Sequence, residues 1–126
     1  MFDHVGLNVT NYTTSRSFYE GALAPLGYRV MMANDEWKLV GFAAGEKPEF
    51  RLCQREPYTT GTHVAFQSPE RATVDAFHAA ALSAGGRDNG AAGLPPEYHA
   101  GYYSAFVLDP DGNNVEAVCH READAG

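Results

Sequence analysis

This chain is short of positive charge, of cysteine and of long apolar runs. Nine lysines and arginines stand against sixteen aspartates and glutamates, for a net charge of −7. That surplus argues against a nucleic-acid backbone or an anionic membrane as partner. Two cysteines, Cys53 and Cys119, are too few for a disulfide framework. They read as reduced thiols of a cytoplasmic protein. No apolar stretch approaches the roughly 20 residues needed to cross a bilayer. Met1-Phe2-Asp3-His4 has no basic segment followed by an apolar one, so no secretion signal is expected. The apolar share of 44% and charged share of 20% are ordinary, and 126 residues make one domain with its own core.

What is present is a repeat. Phe2 to Val9 alternates, with Val5, Leu7 and Val9 opposite His4, Gly6 and Asn8. Asn11 or Thr13 caps a helix that runs to about Ala24, with Phe18, Tyr19, Ala22, Leu23 and Leu26 along one side. Pro25 and Gly27 end it. Strands are predicted over Tyr28 to Met32, Glu36 to Phe42 and Glu49 to Gln54. The pattern then restarts. Thr62 to Gln67 alternates, Ser68 caps, Pro69 takes the first helical position, and a helix runs to Ala84. Val74, Phe77, Ala81 and Leu82 form its apolar face. One constant offset maps His4 onto His63, Phe18 onto Phe77, Leu23 onto Leu82 and Gly27 onto Gly86. Strands Tyr102 to Leu108 and Asn114 to Cys119 complete the second copy. Arg87-Asp88-Asn89-Gly90 is polar and makes a poor strand.

The fold class expected is therefore α+β: two tandem βαβββ modules, residues 1–58 and 59–126, forming a cup-shaped, partly closed mixed sheet with helices outside. In the repeat matching, Phe50-Arg51-Leu52 lies over Val115-Glu116-Ala117. If the sheets curl around one hollow, His4, Arg51, His63 and Glu116 converge there. Glu116 follows the turn Asp109-Pro110-Asp111-Gly112, in which Pro110 presets φ and Gly112 supplies a positive one. A carboxylate in mid-strand needs a partner.

These segments resemble the vicinal oxygen chelate superfamily: glyoxalase I, bleomycin-resistance proteins, fosfomycin-resistance thiol transferases and type I extradiol dioxygenases. The resemblance rests on Asp3-His4-Val5, Ser17-Phe18-Tyr19, Leu26-Gly27-Tyr28, Thr62-His63-Val64-Ala65-Phe66 and Asp109-Pro110-Asp111-Gly112-Asn113-Asn114-Val115-Glu116, in that order. It implies paired modules around a divalent metal, often in a homodimer, and metal ligands at His4, His63 and Glu116. Where glyoxalase I has a further carboxylate, this chain has Arg51. A guanidinium repels a divalent ion at close range. Arg51 therefore points elsewhere, binds an anionic substrate group, pairs with Glu116 across the cup, or marks a site without metal.

Two imidazoles and a carboxylate suit Fe(II), Mn(II), Zn(II) or Ni(II) alike. An open position on such an ion polarises a bound carbonyl or alkoxide. The expected activity is that of a metal-dependent lyase or isomerase acting on a small oxygenated molecule chelated to the ion. The other reading is a metal-free binding protein of the bleomycin-resistance type. Glu116, His99 and Tyr103 are the candidate catalytic groups. Arg51, Trp37, Tyr98 and Tyr102 are candidate ligand contacts. Of Tyr102 and Tyr103, which alternate on one strand, the one facing the hollow is the ligand contact. Arg87 to Gly101, with Pro95-Pro96, reads as a functional loop. The resemblance implies a homodimer, with His4 and His63 of one site supplied either by one chain or by two.

Overall fold

The computed structural model describes residues 1–91 and 101–120. Eight strands and two helices follow in order: β1 (Val5–Val9), α1 (Tyr12–Leu23), β2 (Arg29–Asn34), β3 (Leu39–Ala43), β4 (Phe50–Gln54), β5 (His63–Gln67), α2 (Arg71–Ser83), β6 (Arg87–Asp88), β7 (Tyr103–Leu108) and β8 (Asn114–Cys119). They form two four-stranded sheets, ordered β1-β4-β3-β2 and β5-β8-β7-β6. The architecture is the α+β tandem of βαβββ modules read from the sequence, and no barrel closes.

The repeat holds at the level of hydrogen-bond register. β1 runs parallel to β4 with Gly6 opposite Arg51, and β5 runs parallel to β8 with Ala65 opposite Glu116. Arg51 and Glu116 thus occupy equivalent places in the two sheets. α1 begins at a side-chain cap, because Asn11 Oδ1 accepts from the Thr14 N–H at 3.0 Å. A short 3₁₀ turn, Ala24–Leu26, follows it, and Gly27 at φ 85° closes the turn.

One core serves both modules. Phe18, Tyr19, Ala22 and Leu23 of α1 and Val74, Phe77 and Ala81 of α2 are buried with Leu7, Val9, Phe50, Leu52, Phe66, Val115 and Ala117 of the strands. The rings of Phe50 and Phe66 meet edge to face at 5.2 Å, and Tyr28 meets Phe66 edge to face at 5.4 Å. Since Phe50 and Phe66 come from different sheets and alternate with Arg51 and with His63 and Ala65, those other faces turn outward. Val5, Gly6, His63, Ala65 and Gln67 are exposed.

Four expectations need correction. Glu36 to Lys38 is a turn, not the start of β3. Asn34 Oδ1 accepts from the Trp37 N–H at 3.0 Å and Lys38 adopts a positive φ of 54°. Trp37 therefore stands 72% exposed instead of lining a pocket. The second helix starts at Arg71, with Glu70 extended at its cap, and Ser68 Oγ donates to the Glu70 carbonyl. Leu82, placed on the apolar face by spacing, is exposed on the rim of α2. The polar strand is as poor as its composition implies, only the two residues of β6, paired with Val107 and Leu108. Among the described residues, no helix is long and apolar enough to cross a membrane.

Candidate functional site

The Asp109–Asn113 turn sets the position of β8. Gly112, at φ 85°, donates its N–H to the Asp109 carbonyl at 3.0 Å. The Asp109 carboxylate is buried and accepts from the Asp111 and Asn113 N–H groups, from Asn113 Nδ2 and from Tyr19 Oη. Burial, then the Asp109 charge, pushes the Tyr19 phenol well above its ordinary pKa near 10. Asn113 also bonds the intermodule segment, accepting from the Thr62 N–H and donating to the Thr59 carbonyl. Asp111 accepts from the Thr10 N–H and hydroxyl. The turn therefore fastens β8 to α1, to the end of β1 and to the link between modules.

Glu116 leaves this turn in mid-strand and is 1% exposed. Both of its oxygens are engaged. Tyr102 Oη donates to Oε2 at 2.6 Å, and His63 Nε2 lies 2.7 Å from Oε1. The register explains the second contact: Glu116 sits beside Ala65, next but one to His63 on the same face of β5. The ion pair between Glu116 and Arg51, one of the alternatives open for Arg51, does not form. The acid is already satisfied within its own sheet.

His4 precedes β1 and faces Asp3, whose Oδ1 lies 2.7 Å from His4 Nδ1. Lys47 Nζ reaches Asp3 Oδ2 at 2.7 Å. The His4 contact first, then Lys47, lowers the Asp3 pKa from 3.8 to about 2. An ionised Asp3 accepts, so Nδ1 donates and Nε2 points away from the carboxylate. A carboxylate behind an imidazole in this way is the usual support of a metal-ligating histidine. Nothing in the sequence reading marked Asp3 as more than part of a motif. Its adjacency to His4 was the available signal.

His4 and the His63–Glu116 pair nevertheless stay apart. Among the described residues of one chain, no three His, Cys, Asp or Glu side chains gather as a metal-binding group. His4, His63 and Glu116, expected to converge inside one chain, do not gather there as one donor group, and the apolar faces of both sheets are used in the shared core. A hollow of about 170 Å³ at the junction of β1 and β5 is lined by His4, Val5, Ala65 and Gln67, among others, but not by Glu116. A larger, open hollow of about 830 Å³ lies at the start of α1, around Asn11, Arg16, Asp35 and Lys38, away from the acidic strand.

The tyrosines separate as alternation requires. Tyr102 faces Glu116. Tyr103 turns to α2, where its hydroxyl donates to Asp75 Oδ1 at 2.6 Å and Arg71 lies 5.0 Å over its ring. The Asp75 bond raises the Tyr103 pKa, with burial adding to it. The tyrosine beside Glu116 is therefore Tyr102, while Tyr103, a candidate catalytic group from the sequence, turns away from that carboxylate. Tyr98 and His99 lie outside the described residues. Cys53 and Cys119 form no disulfide.

The glyoxalase/bleomycin resistance protein/dioxygenase superfamily model matches residues 1–117. Comparison with curated protein sequences gave no match. A glyoxalase/bleomycin resistance protein from Albidiferax ferrireducens superimposes with a TM-score of 0.72 at 29% identity, over 94% of this chain and 97% of its own. A lactoylglutathione lyase from Agrobacterium tumefaciens gives 0.66 at 17% identity, over 94% and 91%. A fosfomycin resistance protein from Mesorhizobium loti gives 0.65 at 16%, over 94% and 91%. The two less identical structures share the fold. Taken with the doubled module and its register, the match over residues 1–117 makes this chain a member of the glyoxalase/bleomycin resistance protein/dioxygenase superfamily.

Proposed function

We propose that this protein is a divalent-metal-dependent enzyme of lyase or isomerase type, working as a homodimer on a small oxygenated molecule. His4 of one chain and His63 with Glu116 of the other supply the metal ligands. The observation that carries this reading is the His63–Glu116 contact. His63 Nε2 and Glu116 Oε1 are 2.7 Å apart, so an imidazole nitrogen and a carboxylate oxygen already face one point, where together they would hold an ion. The third donor, His4 Nε2, is already oriented by Asp3. Because each sheet presents its half of the donor set outward, a second chain is the natural source of the missing half.

The ion would act as a Lewis acid toward two oxygens of the bound molecule. The chain does the rest. Glu116 receives or returns a proton at Oε2, the oxygen that Tyr102 Oη touches, and the Tyr102 hydroxyl orients that carboxylate and stabilises its charged form. The site excludes bulk water from Glu116, which is almost fully buried even in one chain.

Metal analysis of protein purified without added metal, followed by chelation and re-addition of Zn(II), Mn(II), Fe(II) and Ni(II), tests the assignment. One ion per chain, lost in Glu116→Gln, supports it. A second reading, a metal-free binding protein, is favoured by the full pairing of Glu116 with Tyr102 and His63. It predicts no stoichiometric metal and ligand binding that chelators leave unchanged.

A further inference from the structure

Of His4, Arg51, His63 and Glu116, Arg51 is the one the metal reading does not use. It lies on β4 at the place equivalent to Glu116. Among the described residues it has no hydrogen-bond or ion-pair partner, and its Nε is buried and unsatisfied. A buried guanidinium N–H without an acceptor is costly, and such a group is retained where a ligand completes it.

The sheet around Arg51 is built with a gap beside it. Its cross-strand neighbours are Gly6 on β1 and Gly41 on β3. A Cβ at Gly41 would run into Met32 and Pro48, so that side is filled. A Cβ at Gly6 would meet nothing but the Arg51 carbonyl oxygen at 3.9 Å, so that side is open. Gly6 does not have a positive φ. Its lack of a side chain therefore leaves space, and the backbone there does not require glycine. The open side is the one toward His4, one strand over.

We propose that Arg51 and the vacancy over Gly6 form a receptor for the carboxylate of an anionic substrate. This rests on the proposed function above and names its substrate class: small hydroxy- or oxo-carboxylic acids. A guanidinium binds a planar carboxylate through two parallel N–H···O bonds. The two parallel N–H groups of one guanidinium match a planar, singly charged carboxylate. The arrangement also explains why a cation occupies a place otherwise suited to a fourth metal ligand. It holds the end of the substrate that the metal does not.

The test is a titration of chelator-treated, full-length protein followed by the Arg Nε–Hε NMR resonance, with pyruvate, its neutral methyl ester and inorganic phosphate as probes. Pyruvate is expected to shift the Arg51 resonance saturably and the ester to leave it unmoved. Arg51→Gln should remove pyruvate binding. Gly6→Val, which keeps the charge and fills the vacancy, should weaken it roughly tenfold or more. The proposal is overturned if pyruvate causes no saturable shift, if phosphate binds in its place, or if Gly6→Val leaves the affinity unchanged. It is also overturned if the free protein already shows a paired Nε–Hε that Glu116→Gln releases, since Arg51 would then serve a partner's acid. Metal is absent throughout, so failure of the metal assignment and failure of the carboxylate receptor give separate results.

Discussion

Tyr19 Oη donates to Asp109 Oδ2 across 2.6 Å, from the middle of α1 to the turn that launches β8. The two residues lie in different modules, and both are buried. The bond holds the strand carrying Glu116 against the helix of the other module. Fold and candidate site meet in this contact.

Tyr19→Phe keeps the ring, with its edge contact to Phe18 at 4.9 Å, and removes the hydroxyl. It leaves a buried carboxylate one donor short, at a cost of about 1–3 kcal/mol. Urea unfolding should show the midpoint falling with the slope unchanged.

The same contact has a pH signature. The folded Tyr19 phenol titrates above its ordinary value near 10, through burial and the Asp109 charge. A raised folded pKa contributes stability that is complete below the unfolded pKa and is lost as pH rises toward the folded one. Stability should therefore decline above pH 10. Tyr19→Phe should flatten that decline while starting from a lower value at pH 8.

Asp3 supports His4 from behind, with its carboxyl held near a pKa of about 2 by His4 and Lys47. Asp3→Asn should lower metal affinity about 10–100-fold, the usual effect of losing such a support. Because Asp3 is fully exposed, the thermal midpoint should not move. Calorimetric titration with Zn(II) beside a melting curve checks both.

Tyr102 and Tyr103 give opposite expectations. Tyr102→Phe frees Glu116 Oε2, so it should change metal affinity and the pH dependence of any turnover. Tyr103→Phe cuts a bond to Asp75 on α2 and should change only stability, by about 1 kcal/mol. Equal effects of the two on metal binding would contradict the assignment of faces.

The doubled module was legible because alternation and helical spacing report which face is buried, and both copies carry the same pattern. The equivalence of Arg51 and Glu116 followed from it and reappears in the strand registers. Less legible was what each polar face meets. Leu82 has the right spacing for the core, yet it sits at the edge of the helix contact. Trp37 looks like a strand residue until Asn34 and the positive φ of Lys38 make a turn. Nothing local shows that Phe50 and Phe66 pack against each other, or that His4 gathers into no donor group with His63 and Glu116. That relation joins residues from two sheets, and alternation within one strand does not encode it.

The central claim is that one site takes its donors from two chains, and mixed dimers test it most directly. His4→Ala and Glu116→Gln chains, carrying different tags and co-expressed, are isolated as the mixed pair and their metal is counted. If the donors come from different chains, one of the two sites in the mixed pair is intact, so the account predicts one ion per mixed dimer and none in either parent. No metal in the mixed pair, with one ion per chain in the unmodified protein, would contradict it.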